Sequence, residues 1–279
     1  MHGLRTGECM SKLNLRFLDL LRSTRRLTLG LRRNNLFGKT AMEKKCVVNY
    51  SKYSKINFGC GYDKLDGYLN VDVDPACKPD VLLPIGDLSS LPKHHFREVY
   101  AKDVLEHIPR SKSLEALLEF SSLLRDDGML FVQTTSITQV AKKLEENPSF
   151  ADQYGWTICL FGNQVHPGDF HYTGFTDTSL TVHLAAAGFE VTSKSMVEDW
   201  CMRFECRKRD AWDDLLDSII DNPQFIALAY ERFFYRTVDD IGLVHFGRRL
   251  DAGVDRRTVL KEIVSPPERL FVTARRIGL

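Results

Sequence analysis

The 279-residue sequence predicts an α/β fold: a doubly wound, mostly parallel sheet with an antiparallel last strand, a small C-terminal helical domain and a basic N-terminal arm. Three observations carry this prediction. Short apolar runs recur between residues 55 and 132, separated by turn-rich or helical stretches, which is the alternation a parallel sheet needs for its crossovers. The first run, Ile56 to Phe58, breaks into Gly59-Cys60-Gly61, and the second, Tyr68 to Val73, carries Asp72 and then Asp74 at its end. Beyond about Asp210 the strand-like runs stop and apolar residues keep a helical spacing. The predicted boundaries are therefore an arm at 1–50, a sheet domain at 51–209 and a helical domain at 210–279.

In chain order, the arm comes first. Through Lys52, twelve Lys or Arg stand against Glu8, Asp19 and Glu43. Leu13, Phe17, Leu18, Leu20 and Leu21 recur near helical spacing, with Arg16, Arg22, Arg25 and Arg26 between and after them. Such a segment docks on the main domain, stays disordered, or lies on an anionic membrane surface, and the pattern leaves all three open. It predicts no nucleic acid, because no aromatic platform accompanies the arginines.

Within the sheet domain, Val81 to Leu83 reads as a third strand, Glu98 to Ala101 as a fourth and Met129 to Val132 as a buried fifth. A helix is predicted from Arg110 to about Leu124 with Leu114, Leu117, Leu118 and Leu124 facing inward. Arg125-Asp126-Asp127-Gly128 closes it, with Gly128 as a left-handed cap. Thr134 to Phe175 shows few helix signals after Leu144 and is rich in Tyr, Trp, Gly and His. A long segment of that kind inside a compact domain is usually functional. Phe189 to Ser195 and Met202 to Lys208 read as an antiparallel pair. The C-terminal helices follow the turn at Asn222-Pro223, then span Asp239 to Leu250 and Arg256 to Val264, stopping at Pro266-Pro267.

Charged residues make up 27% of the chain and hydrophobic ones 43%, ordinary values for a globular protein. No apolar run approaches the ~20 residues of a membrane span, and no secretory signal is visible at the N-terminus. The seven cysteines are scattered, without C-x-x-C or zinc spacing, which predicts reduced thiols, no metal and a cytoplasmic location. Any membrane contact would be peripheral and would come from the arm.

A strand, a glycine turn and a second strand ending in a carboxylate are the parts with which an open parallel sheet builds a nucleotide site. Gly59 and Gly61 let the backbone approach a ligand, and Asp72 can take both hydroxyls of a ribose, with Asp74 as the spare candidate. A dinucleotide site wants G-x-G-x-x-G, but Lys64 stands at the third glycine's position and Gly67 comes too late. This disfavours NAD and FAD. S-adenosylmethionine, which carries no phosphate, needs only the first two glycines and the ribose carboxylate.

The ordered pieces N-F-G-C-G, L-N-V-D-V-D, G-D-L-S-S-L-P, V-L-E-H-I-P and L-L-R-D-D-G-M-L-F-V resemble class I S-adenosylmethionine-dependent methyltransferases, which are Rossmann-like. The nearest resemblance is to a compact bacterial branch associated with surface-glycan biosynthesis, and it extends from about Ser51 to Arg209. It implies the cofactor S-adenosyl-L-methionine. Gly59 and Gly61 would line its methionine part, Asp72 would take its ribose hydroxyls, Asp87 would accept its adenine amine with Leu88 packed beside it, and Asn57, Cys60, Val73 and Asp103 are further cofactor-binding candidates. Asp103 would lie at the rim where the methyl group meets its acceptor. His107 is open between a structural hydrogen bond and a catalytic contact, while Glu106 reads as a helix-entry carboxylate favoured by the macrodipole.

The acceptor would be a small-molecule or lipid-linked glycan, methylated on a hydroxyl or an amine. Asp103, His107 and His171 are the candidate catalytic residues, with His171, in D-F-H-Y-T-G-F, or His107 as base. His166 and His171 flank the turn Pro167-Gly-Asp169, but no further ligand set accompanies them, so a metal is not predicted. Ile226 to Glu268 is similar to a small helical module of uncharacterised function found in bacterial secreted and glycan-related proteins. Tyr235-Arg236 replaces its usual Gly-Arg, and the module would dock a protein partner or merely cap the sheet. The rival function is a non-catalytic, methyltransferase-like scaffold in a glycan-assembly complex. The retained Gly59, Gly61, Asp72 and Asp87 argue against that rival.

Overall fold

The computed structural model describes residues 48–85, 88–165 and 167–279. The basic arm, Asp87 and His166 therefore lie outside the described residues. Val48–Leu279 is one compact unit.

Its centre is a seven-stranded sheet in the order β3-β2-β1-β4-β5-β7-β6. The strands are β1 (Lys55–Phe58), β2 (Leu69–Asp72), β3 (Val81–Leu82), β4 (Phe96–Lys102), β5 (Leu124–Thr135), β6 (Phe189–Val197) and β7 (Cys201–Lys208). The first five pair in parallel, whereas β7 runs antiparallel to both β5 and β6. This is the predicted fold class. The chain begins in the middle with β1, walks outward to β3, then crosses to the other side of β1 for β4. The order therefore reverses between β1 and β4, and the crevice at their carboxyl ends is where such sheets bind ligands.

β1 is buried on both faces, as expected of a central parallel strand. Phe58 stacks on Phe120 with ring centroids 4.8 Å apart. Asn57 is the polar exception in the strand. Its amide donates to Asn70 Oδ1 at 3.0 Å on the neighbouring β2, and Asn70 in turn donates to the carbonyls of Leu65 and Tyr68 and to Asp80. A buried amide pair with its capacity this fully used adds specificity without an unsatisfied group.

α1 (Arg110–Leu123) follows β4 and is buried almost all round, including Ser113, Glu119, Ser121 and Ser122. One face packs on the sheet. On the other side it meets α7 (Arg256–Val264), one of four C-terminal helices with α5 (Asn222–Phe234), α6 (Asp240–Asp251) and α8 (Pro267–Arg276). Between β5 and β6 the chain forms α2 (Ile137–Glu146), α3 (Phe150–Phe161) and α4 (Asp177–Ala186). Trp212 Nε1 donates to the carbonyl of Leu118 at 2.7 Å, and the guanidinium of Arg257 reaches Asp213 at 2.8 Å and Ser122 at 3.2 Å. Arg269 is buried over the Phe233 ring and donates to the carbonyls of Phe233 and Ala186, tying α8 to α5 and α4. Among the described residues no helix is long and apolar enough to cross a membrane.

Two local expectations are corrected. Gly128 is not a left-handed cap. Asp127 takes that conformation (φ 56°), a role an Asp tolerates, while a Cβ on Gly128 would come within 2.9 Å of the Arg125 carbonyl. The predicted loop after Leu144 contains α3, which Ser149 caps through the Asp152 N–H at 3.2 Å. Its apolar residues Phe150, Tyr154 and Phe161 point outward, so no inward-facing periodicity announces it. The helix Arg256–Val264 stops before Pro266-Pro267 as expected, and a further helix follows. Pro267 opens α8, the first-turn position where the missing N–H costs nothing.

Burial pushes the Asp213 carboxyl up, but the hydrogen bonds from Ser122 and Arg257 outweigh it, and the group sits below the usual carboxylate range. Arg257→Ala leaves that carboxylate buried without its cation. Arg257 is itself 31% exposed, so the loss should be about 2–3 kcal/mol, below the range for fully enclosed pairs. That corresponds to a Tm drop of roughly 4–12 °C by calorimetry. Because the folded pKa is depressed, the pair's contribution is present above the ordinary carboxylate range and disappears as pH falls through the folded pKa. The Tm gap between wild type and variant should therefore close in acid.

Candidate functional site

The crevice between the carboxyl ends of β1 and β4 opens into a cavity of about 630 Å³. Its near wall is the glycine turn. Gly59 (φ 60°) and Gly61 (φ 49°) are both left-handed, and a Cβ on Gly59 would stand 2.5 Å from Val104 Cγ2, so the turn packs directly on the segment after β4. The Gly61 N–H donates to Asp72 Oδ2 at 2.8 Å, and the Asp74 N–H donates to Asp72 Oδ1 at 2.9 Å. Asp72 thus fixes the turn and still keeps lone pairs on both oxygens for a ligand. From Gly59 to Tyr68 the chain passes from β1 to β2 without a helix.

Asp103, Val104 and His107 close the opposite side, on the segment after β4. Asp103 has a left-handed backbone (φ 53°), and its N–H donates to the Gln133 carbonyl at 2.8 Å. His107 Nδ1 lies 3.1 Å from the Phe170 carbonyl, and its ring meets the ring of His171 edge-on, with centroids 4.7 Å apart. His171 Nδ1 lies 3.1 Å from the carbonyl of Cys159 at the end of α3. Burial, then the nearby His107, hold the His171 imidazole below its ordinary value of 6.5.

The predicted site residues separate into groups. Gly59, Gly61, Asp72, Val73, Asp103 and His107 line the cavity together. Asn57, Cys60 and Leu88 are buried and do not line it. Asn57 is committed to the Asn70 pair, Cys60 is the enclosed middle of the turn, and Leu88 belongs to the core. His171 stands behind His107 rather than in the cavity wall. Asp74 lines the cavity but caps a 3-10 turn through the Ala76 N–H at 2.8 Å.

Glu106 departs from the expectation of an exposed helix-entry carboxylate. It is 3% exposed, sits in the turn before α1, and accepts a hydrogen bond from Thr134 Oγ1 at 2.8 Å. Burial first, then Asp103, push its carboxyl up to about 8, the reverse of dipole stabilisation.

Sequence reasoning missed the far wall, where Lys112, Glu115, Ala116 and Glu119 of α1 face the cavity. The 2.7 Å Lys112–Glu115 pair is an ordinary i,i+3 surface pattern in sequence, and only the sheet order turns that helix face toward the glycine turn. Among the described residues no group of three or more His, Cys, Asp or Glu is placed to hold a metal ion.

The two turn glycines make separable predictions. Gly59→Ala combines a left-handed backbone with a clash on Val104 and should destabilise by about 2–4 kcal/mol. Gly61→Ala meets open space and should cost only the backbone penalty of about 1–2 kcal/mol. Denaturant unfolding of both variants checks the order, and equal losses would contradict the packing of the turn on Val104.

No family model matches the chain, and no curated protein matches it. Solved structures similar to it include the 1,6-didemethyltoxoflavin-N1-methyltransferase of Burkholderia thailandensis with bound 1,6-didemethyltoxoflavin and S-adenosylhomocysteine. It is 17% identical over 57% of this chain and 73% of that one, with a TM-score of 0.40. A putative S-adenosylmethionine-dependent methyltransferase from Listeria monocytogenes is 12% identical over 60% of this chain and 96% of that one, with a TM-score of 0.40. The magnesium protoporphyrin IX methyltransferase of Synechocystis with bound S-adenosylhomocysteine is 16% identical over 58% of this chain and 76% of that one, with a TM-score of 0.39.

Proposed function

We propose that the protein is an S-adenosylmethionine-dependent methyltransferase acting on a hydroxyl or amine of a glycan or glycolipid precursor. One observation carries the cofactor. The cavity at the switch point has the glycine turn and the ribose-type carboxylate, yet no helix begins after the turn. A pyrophosphate cofactor needs a helix N-terminus there to receive its charge, and a phosphate-free nucleoside does not.

The residues present fit that ligand. Gly59 and Gly61 keep the turn free of side chains, and the spare lone pairs of Asp72 suit two ribose hydroxyls. Val73, 61% exposed beside the cavity, and Ile85 offer apolar surface for a base. Asp87 has the adenine-amine role only through the sequence resemblance.

When bound, S-adenosylmethionine supplies a methyl group already activated on a sulfonium, which leaves alignment and proton removal to the protein. A hydroxyl must lose its proton as it attacks. Asp103 and His107 line the cavity, and the depressed His171 imidazole, neutral at pH 7, stands edge-on behind His107, which supports one of these three as the base. Lys112 and Glu115 add a donor and an acceptor on the far wall, as a hydroxyl-rich acceptor would require. The choice of glycan itself rests on the sequence resemblance.

Calorimetric titration tests the cofactor. The wild type should bind S-adenosylmethionine and not NAD, and Asp72→Ala should weaken binding at least about tenfold while remaining folded. Absence of binding to wild type would sink the reading. His171→Ala should keep cofactor affinity and slow transfer about 10²-fold, measured as S-adenosylhomocysteine release in the presence of nucleotide sugars or lipid-linked glycans.

A further inference from the structure

A second cavity, of about 310 Å³, lies between the turn that leads from α4 into β6, the end of β7, and α8. It is at the opposite end of the sheet from the crevice. Cys201 sits across from Thr135 at the carboxyl end of β5, so the Lys208 end of β7 lies at the amino ends of the parallel strands. Arg269, Thr273 and Arg276 share one face of α8 at helical spacing, and all three line the cavity. Arg209, just past β7, lines it from the other side.

Arg269 is 7% exposed, and a guanidinium that deep is normally met by a carboxylate. Among the described residues it forms no ion pair. It donates to the carbonyls of Phe233 and Ala186, lies over the Phe233 ring, and leaves Nε without a partner. Those two bonds use two of the five N–H donors of a guanidinium. Burial first, with Arg232 in the same direction and Asp210 against them, brings the group down to about 10. The acids of the wall are already taken. Glu190 accepts Arg209 Nε at 2.5 Å, and Asp210 pairs with Arg232 at 2.8 Å. Arg276 is exposed, stands 4.5 Å from the centroid of the Tyr235 ring, and has no carboxylate partner among the described residues. Two arginines, one of them buried, therefore face one cavity with their charges unmatched.

We propose that this cavity is an anion site for a phosphoryl group, with Arg269 and Arg276 as its cations. The site is separate from the crevice, and nothing in it depends on the methyltransferase reading. Donors that arrive along the α8 face and from Arg209 opposite suit a tetrahedral oxyanion, whose acceptors point in several directions, better than a planar carboxylate. Thr273 Oγ1 donates to the Arg269 carbonyl at 2.8 Å and keeps its lone pairs, which suits a protonated phosphate oxygen. The volume is at the small end of ligand pockets, enough for phosphate itself or for a small phosphorylated molecule. Such an anion would bridge α8 to the turn before β6 and so reinforce the tie that Arg269 makes between α8 and α4.

The test is calorimetric titration of the whole protein with inorganic phosphate and, separately, with glucose 6-phosphate, at an ionic strength held constant with sodium chloride. Binding should saturate at one site per chain. Arg276→Gln changes an exposed side chain and should weaken binding about tenfold, the size expected for one charge-assisted hydrogen bond. Arg269→Gln should abolish binding. If that variant does not fold, Arg276→Gln still decides. Lys112→Ala, in the other cavity, should leave the affinity unchanged. Tighter binding of glucose 6-phosphate assigns the site to a phosphorylated small molecule, and equal or weaker binding assigns it to free phosphate. No saturable binding of either probe, full affinity in Arg276→Gln, or a loss in Lys112→Ala instead, overturns the proposal.

Discussion

The hydrogen bond from the Gly61 N–H to Asp72 holds the site together. It joins the end of β1 to the end of β2, beside the β1–β4 crevice where the sheet reverses its order, and it does so across a connection that forms no helix. In a longer βαβ unit the crossover helix packs on the sheet and fixes the turn. Here the carboxylate performs that task from one side, and the contact of Gly59 on Val104 performs it from the other. The Asn57–Asn70 pair and Asp80 brace the connection one layer below. One carboxylate therefore builds the turn with two of its four lone-pair sites and leaves the other two unused by it.

The same economy explains which parts of the fold were legible in the sequence. The five parallel strands are short, apolar and bounded by turns, and Gly59, Gly61 and Asp72 are recognisable because few other residue types tolerate those backbone positions or cap that turn. What was hidden depends on what lies opposite. α3 shows Phe150, Tyr154 and Phe161 to solvent and buries only Trp156, so its sequence lacks the one-sided pattern that marks a surface helix. Gly128 resembles a cap by spacing, but the strand bulges around it and leaves the left-handed position to Asp127. Glu106 reads as a surface acid because the Thr134 that receives it is 28 residues away. Asn57 was assigned to the ligand by motif position, although its partner on β2 claims it.

The far wall follows a different logic. α1 would be an ordinary amphipathic helix if only the sheet covered it. Its polar residues are instead buried, because α7 lies on its outer face. Glu119 lines the cavity and receives Lys93 at 2.9 Å and Lys261 of α7 at 2.8 Å, while Glu115, also in the cavity wall, lies 3.3 Å from the same Lys261. Burial pushes the Glu119 carboxyl up, and the two lysines more than offset it, so the group stays ionised with its charge matched.

This places the C-terminal helices in the argument about the site. A cap that merely shielded apolar surface would meet α1 through leucines and phenylalanines alone. α7 instead sends a cation to the two carboxylates that face the cavity, and Arg257, one turn earlier, ties Ser122 near the C-terminal end of α1 to Asp213. Displacing α7 would leave Glu115 and Glu119 as adjacent acids on one cavity wall, with only Lys93 and Lys112 to balance them. Their mutual repulsion would raise their proton affinity and alter the polarity of the wall that faces the glycine turn. The helical region thus sets the electrostatics of the crevice through the back of a single helix, without reaching into it.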